Sequence, residues 1–192
     1  HEAPAAAAGA RAGLVQRLFL EIDREILRVS RFYEESRGMG ATLSLCWVHP
    51  GGITYGHIGD SRIYFLPASD SMRQVSEDHS EVGRLRREGK LNERQSKIHP
   101  ERHLLDQALG GFKREIEPQT GEIARSGGDR VVLCSDGICD GLYDRTIEKI
   151  VRAPTPDILK YRPSERLIKE ALFNSGKDNL TAMVLEFAPD PT

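Results

Sequence analysis

The sequence has few cysteines, almost no net charge and no long apolar run, and each shortage excludes a class of protein. The three cysteines, Cys46, Cys134 and Cys139, include no CxxC pair, which favours buried thiols in a reduced, intracellular protein. The 27 Lys and Arg residues nearly balance the 29 Asp and Glu residues, so we expect no nucleic-acid partner. No apolar stretch approaches the ~20 residues that span a bilayer, and the alanine-rich start lacks the order of a signal peptide. We therefore expect a cytoplasmic protein with no membrane partner.

The 192 residues suffice for one domain whose core needs no disulfide or metal to fold. Apolar residues at three- and four-residue steps predict an amphipathic helix over 11–34. Alternating large and small side chains predict a meander of four strands over 42–75, with a turn at "HPGG". Next, we expect a strand at 131–133, helices that begin near 144 and 163, and a last strand at 180–187. This order predicts sheet packed on sheet with helices outside.

Three aspartates stand beside predicted strands. Asp60 and Asp136 each follow a strand, with Gly59 and Gly137 next to them, and Asp178 comes just before the last strand. Strand ends in a rigid sheet can bring carboxylates to one point, where they repel unless a cation neutralises them. Oxygen ligands favour magnesium or manganese over zinc, and the glycines would keep side chains clear of a metal and a substrate. The alternative, that Asp-Gly and Asp-Asn only form turns, is favoured for one aspartate alone but not for three together.

Short motifs along the chain resemble those of one known family. The motifs are "GAT" at 40–42, "HIGDSRIY" at 57–64, "SEDHS" at 76–80, "LLDQALGG" at 104–111, "VVLCSDGICDGL" at 131–142 and "KDNLTAMVLEF" at 177–187. Together they resemble the metal-dependent serine/threonine protein phosphatases of the 2C type, the PPM phosphatases, in their bacterial form. The resemblance covers nearly the whole chain with the motifs in the family's order.

This resemblance implies an α+β fold, namely an α-β-β-α sandwich of two antiparallel sheets flanked by helices. It implies hydrolysis of phosphoserine and phosphothreonine in proteins by a metal-activated water, with two or three Mn²⁺ or Mg²⁺ ions as cofactors. Asp136 and Asp178 resemble ligands of the binuclear centre, and Asp60 resembles a ligand of a third, weaker metal. The implied partners are a phosphoprotein substrate and a kinase, in a signalling role. Residues for proton transfer and substrate binding stay unassigned.

The family's first motifs are not in this chain. Family members begin with an acidic motif that includes a phosphate-binding arginine, followed by an Asp-Gly-x-Gly-Gly loop whose aspartate bridges both metals. The residues from His1 onward are similar to those that follow this loop. We therefore expect residues 1–192 to be a single phosphatase domain that is truncated at its N-terminus and inactive by itself. Two alternatives remain open: a non-catalytic phosphatase-like interaction module and a phosphohydrolase of small molecules.

The charged segment 81–105 matches the position of the family's flap, a segment beside the active site. It is poor in apolar residues, so we interpret it as a partly mobile excursion from the core. Its arginines Arg84, Arg86 and Arg87 are candidates for contacts that influence substrate choice, because loops on rigid scaffolds commonly carry recognition. A solvated insertion without such a role is the alternative.

Four further residues have competing interpretations. His79 is either an acid or base or a residue that fixes the start of the next helix, and the sequence leaves both open. Arg62 is either a phosphate contact or, as we favour, the partner of a neighbouring acid. His99 and His103 have the spacing of a metal pair on a helix, but Pro100 lies between them, which disfavours zinc.

Overall fold

The structure is a computed structural model that describes residues 4–111, 115–154, 161–176 and 178–188. The helices in these ranges are α1 (Pro4–Phe32), a 3-10 turn (Glu34–Ser36), α2 (Glu81–Arg87), α3 (Glu93–Ile98), α4 (Asp136–Gly141), α5 (Asp144–Arg152) and α6 (Pro163–Asn174). The strands are β1 (Leu43–His49), β2 (Gly52–Ile58), β3 (Arg62–Leu66), β4 (Arg73–Gln74), β5 (Gln119–Ile123), β6 (Arg130–Cys134) and β7 (Ala182–Glu186). Across the described residues, every helix is too short or too polar to cross a membrane.

The strands form two antiparallel sheets. The first sheet has the order β1-β2-β5, and the second has the order β4-β3-β6-β7. Strands β1 and β2 form the predicted hairpin, and the second sheet has β6 between β3 and β7, with Cys134 opposite Arg62 on one side and Ala182 on the other. The predicted class, α+β with two antiparallel sheets flanked by helices, is confirmed.

Three apolar clusters show how the layers are stacked. Val15 and Phe19 of α1 pack on one face of the first sheet. Ile63 of β3 lies in the cluster between the two sheets, whereas its neighbour Tyr64 faces α4, α5 and α6, because side chains alternate along a strand. The layers therefore follow the order helix, sheet, sheet, helices. The three cysteines are free, as the sequence predicts.

Two elements were not predicted from the sequence. Strand β5, with the sequence QTGEI, was not expected because only Ile123 in it is both apolar and buried. It forms because the edge of β2 offers backbone partners over residues 53–57, and Gly121 leaves room for the ring of Tyr55. Residues 136–141, for which no helix was predicted, form α4, and its buried middle packs between the second sheet and α6.

The segment 81–105, which we call the flap, contains α2 and α3. Ser80 caps α2 by accepting a hydrogen bond from the Gly83 N–H at 3.0 Å. Asn92 caps α3 in a reciprocal capping box with Gln95. Each cap satisfies backbone N–H groups that a helix start leaves without partners, which explains how short polar helices form here.

Candidate metal centre

The three predicted metal ligands lie at one end of the second sheet. Asp60 comes two residues before β3, Asp136 two residues after β6, and Asp178 shortly before β7. Because β6 runs antiparallel to both β3 and β7, these positions fall at the same end of three neighbouring strands. The sheet therefore gathers residues that are up to 118 positions apart in the sequence.

A cleft opens between this end of the sheet and the flap. Asp60 and Asp136 both line it, whereas Asp178 is exposed beside it. The cleft contains three further carboxylates that sequence reasoning did not select, Asp78, Glu93 and Asp140. Asp140 follows Asp136 by four residues on α4, so both lie on the same face of that helix. This i, i+4 spacing in "SDGICDG" is the signal that could have identified Asp140.

The carboxylates in the cleft disfavour each other's charged form. Burial, with the charges of Asp136 and Asp78 added, raises the pKa of Asp60 to about 6. Burial and then the charge of Asp178 raise the pKa of Asp136. A bound divalent cation would lower these pKa values again, because it favours the ionised form of each carboxyl group.

The donors fit a hard divalent ion in chemistry, but they do not enclose one. Among the described residues, no three His, Cys, Asp or Glu side chains are close enough to hold a metal by themselves. Carboxylate oxygens are suited to Mg²⁺ and Mn²⁺. Asp60, Asp136 and Asp178 could thus supply part of a ligand set. Among the described residues, no third ligand lies close enough to His99 and His103 to complete a metal site.

Backbone N–H groups orient two of these carboxylates. The Gly137 N–H donates to Asp136 Oδ1 at 2.8 Å, and the Asn179 N–H donates to Asp178 Oδ1 at 2.7 Å. Neither Oδ2 atom receives a hydrogen bond from the described residues, which leaves one oxygen of each group available for an ion.

The glycines beside Asp60 and Asp136 also allow other parts of the chain to approach closely. Gly59 has a φ of +108°, and a Cβ there would lie 2.3 Å from Thr42 Cγ2. A Cβ on Gly137 would lie 2.5 Å from the Asn179 carbonyl oxygen. Both glycines therefore make room for neighbouring protein atoms. The absence of a side chain at Gly137 lets the chain before β7 approach α4 closely.

Arg62, which lines the cleft, and His79, which lies near it, both form hydrogen bonds within the protein. Arg62 binds Asp78 through three hydrogen bonds of 2.6 to 3.1 Å, so it is the partner of an acid, the favoured interpretation. His79 does not cap α2, because Ser80 does so. The imidazole Nδ1 of His79 accepts a hydrogen bond from the Gly59 N–H at 3.2 Å, and the backbone N–H of His79 donates to the Gly59 carbonyl at 2.7 Å. His79 thus braces the turn that presents Asp60.

Comparison with known proteins decides the family. The family model for protein phosphatase 2C matches residues 5–172. The chain belongs to the protein phosphatase 2C family. Its α+β architecture is the PPM fold, and the TM-score with the crystal structure of Mycobacterium tuberculosis PstP, a serine/threonine phosphatase, is 0.74. That match has 32% identity and covers 86% of this chain and 68% of PstP.

Further 2C-type phosphatases are similar to this chain. The protein phosphatase PhpP of Streptococcus pneumoniae is 32% identical over 167 residues, which are 87% of this chain. The chain spans 66% of the length of PhpP. A structure of the PstP catalytic domain in complex with two manganese ions has 31% identity, a TM-score of 0.71 and coverage of 86% of this chain and 66% of that one.

The flap of this 2C-type domain is tied to the sheet and to α5 by its charged residues. Asp144 of α5 accepts hydrogen bonds from Arg86 at 2.6 Å and from the Tyr64 hydroxyl at 2.8 Å. Its backbone N–H donates to Glu93 of α3 at 2.7 Å. Lys97 donates to the carbonyl of Leu142 at 2.8 Å. These contacts join both flap helices to the layer that carries Asp136.

The flap arginines proposed from the sequence are engaged within the protein. Arg84 pairs with Glu81 and Glu88 on its own helix, and Arg86 pairs with Asp144. Arg87 lies 3.2 Å from Glu77 and also donates to the carbonyl of Asp78. Their charges are already balanced, so the structure gives no support to these three arginines as substrate contacts.

Without metal, Asp60→Asn should stabilise the protein at pH 7. The pKa of Asp60 rises from 3.8 to about 6 on folding, so the folded state binds more protons and stability falls as the pH rises through that window. Asparagine carries no ionisable group and so avoids this loss of stability, which we expect to be about 1–3 kcal/mol in the free energy of unfolding. Urea unfolding in EDTA should show the gain at pH 7 and little difference below pH 4. Asp70→Asn, at an exposed position, is the control. An equal gain at both pH values would contradict the assigned cause.

Proposed function

We propose that the protein containing this chain hydrolyses phosphoserine and phosphothreonine in proteins with the help of divalent metal ions. The observation that carries this proposal is the gathering of Asp60, Asp136 and Asp178 at one end of the second sheet, beside a cleft, in a chain of the 2C family. Because the chain spans 66% of the length of PhpP, the activity of the whole protein is inferred from this part of it.

Asp136 and Asp178 are proposed ligands of a central pair of Mn²⁺ or Mg²⁺ ions, and Asp60 is a proposed ligand of an outer third ion. The manganese complex of the PstP catalytic domain supports manganese as the metal. Two such ions, when bound, would supply a hydroxide nucleophile near neutral pH and would stabilise charge on the phosphoryl oxygens.

The chain's own residues prepare the cleft for this chemistry. The N–H groups of Gly137 and Asn179 fix the carboxylates of Asp136 and Asp178. His79 holds the turn of Asp60 through two hydrogen bonds to Gly59. These hydrogen bonds restrict the orientation of the two carboxylates and of the Asp60 turn before an ion binds.

We further propose a cytoplasmic signalling role. The three free cysteines suit a reducing compartment. A phosphoprotein substrate also requires a protein kinase that supplies it, so we propose a serine/threonine kinase as the functional counterpart.

Phosphate release from a phosphothreonine peptide by the full-length protein tests the proposal. We expect turnover at about 1 per second or faster with Mn²⁺, and none in EDTA. A small aryl phosphate should be hydrolysed less efficiently than the peptide, since it lacks the peptide contacts. Binding of the peptide without release would identify a non-catalytic module, and a preference for small phosphate esters would identify a small-molecule phosphohydrolase.

A further inference from the structure

A tight turn after α3 places Arg102 at the rim of the cleft. The Arg102 N–H donates to the His99 carbonyl at 3.2 Å, which closes the turn. A few residues later, the Asp106 N–H donates to the His79 carbonyl at 2.7 Å. His79 braces the Asp60 turn, so the position of Arg102 is fixed with respect to the candidate metal ligands.

Arg102 differs from the other arginine and lysine side chains that line the cleft. The others have short contacts, which are Arg62 to Asp78 at 2.6 Å, Arg86 to Asp144 at 2.6 Å and Lys97 to the carbonyl of Leu142 at 2.8 Å. Arg102 lies 3.9 Å from Asp140, and its guanidinium donates no hydrogen bond to the residues that the structure describes. A cation at this distance retains most of its capacity to bind an anion.

The side chain of Arg102 also remains accessible. It is 33% exposed, compared with 12% for Arg62 and 23% for Arg86. Its neighbour His103 is exposed, and Leu104 is 62% exposed. A peptide that lies across the rim can therefore reach this turn, whereas the paired arginines would first have to give up a partner.

We propose that Arg102 binds the carboxylate of an acidic residue next to the phosphorylated residue of a peptide substrate. This inference rests on the proposed phosphatase function. Asp140, which is not a proposed metal ligand, lines the same cleft and would repel an acidic peptide. A guanidinium at the rim offsets this repulsion and offers the planar pair of donors that matches a carboxylate. The flap thus selects substrates through Arg102 rather than through Arg84, Arg86 or Arg87.

Two phosphothreonine peptides test the inference in the full-length protein with Mn²⁺. One carries glutamate next to the phosphothreonine, and the other carries glutamine there. Arg102→Gln should lower kcat/KM for the glutamate peptide about three- to tenfold, with little change for the glutamine peptide or for an aryl phosphate. Arg102→Glu should reverse the preference. Arg102→Lys should retain part of the preference for the glutamate peptide, because the positive charge remains.

Arg84→Gln is the matched control, since it removes the same charge from the same flap but Arg84 does not line the cleft. Equal loss with both peptides and with the aryl phosphate would overturn the inference, as would the same shift from Arg84→Gln. Fluorescence anisotropy of the labelled peptides gives a readout that needs no turnover. If the wild type binds both peptides but releases no phosphate, the proposed function fails, and the binding ratio still decides the role of Arg102.

Discussion

Replacing Asp136 with asparagine in the full-length protein is expected to reduce phosphatase activity at least about 1,000-fold, since it removes a charged ligand worth several kcal/mol of transition-state stabilisation. Asp178→Asn should have a similar effect. The fold should survive, because burial and the charge of Asp178 already raise the pKa of Asp136 and favour its neutral form. Phosphate release as a function of Mn²⁺ concentration, together with calorimetric metal binding, checks this expectation.

Two variants serve as comparisons for Asp136→Asn. Asp60→Asn should slow catalysis but leave a tight metal pair detectable by calorimetry, because Asp60 is proposed to bind an outer ion. Asp70→Asn changes an exposed aspartate in a surface turn and should change neither property. Near-normal activity of Asp136→Asn at limiting Mn²⁺ would show that the carboxylate is not a ligand, and loss of the tight pair in Asp60→Asn would move Asp60 into the central site.

Gly59→Ala should destabilise the protein by about 3–5 kcal/mol. At a φ of +108° an alanine is strained, and its Cβ would lie 2.3 Å from Thr42 Cγ2 and 3.2 Å from Thr42 Cα. Backbone strain contributes about 1–3 kcal/mol, and the overlap with the half-buried Thr42 contributes about as much again. Thermal and urea unfolding would measure the change.

Gly89→Ala is the control that separates strain from overlap. Gly89 has a φ of +71°, but no heavy atom lies within 4 Å of its ideal Cβ position. The substitution should therefore cost only about 1–2 kcal/mol. If Gly59→Ala costs no more than Gly89→Ala, Thr42 moves aside easily, and the close packing that we assign to the Asp60 turn does not constrain it.

The sequence predicts the framework of the fold because most elements carry their own signal. Strand β3 falls within the predicted meander over 42–75 because apolar side chains fill both of its faces. The last helix begins at Pro163, as its proline predicts. Helix α1 begins seven residues earlier than predicted, at Pro4 rather than 11, because its first turns consist largely of alanine, which favours a helix without giving an apolar period.

The elements that the sequence does not predict depend on contacts made elsewhere. Strand β5 has a polar sequence and exists because β2 offers it an edge. Helix α4 contains two glycines, which are poor helix formers, and is held by burial of Ile138 and Cys139 against the second sheet and α6. Local propensity does not reveal such tertiary stabilisation.

The candidate site was predictable as far as residue type and order allow. The positions of Asp60, Asp136 and Asp178 beside strand ends are readable from hydrophobic patterns, and the antiparallel pairing of β3, β6 and β7 brings them together. The ion-pair partners of the flap arginines could not be predicted from the sequence. Arg86 pairs with Asp144, which lies 58 residues away, so only the folded chain shows that its charge is satisfied.

Anomalous diffraction from crystals of the full-length protein grown with Mn²⁺ tests the central claim most directly. Manganese peaks should lie about 2–2.5 Å from carboxylate oxygens of Asp136 and Asp178, with a weaker peak beside Asp60. Manganese bound elsewhere, with no peak within coordination distance of Asp136 or Asp178, would contradict the account.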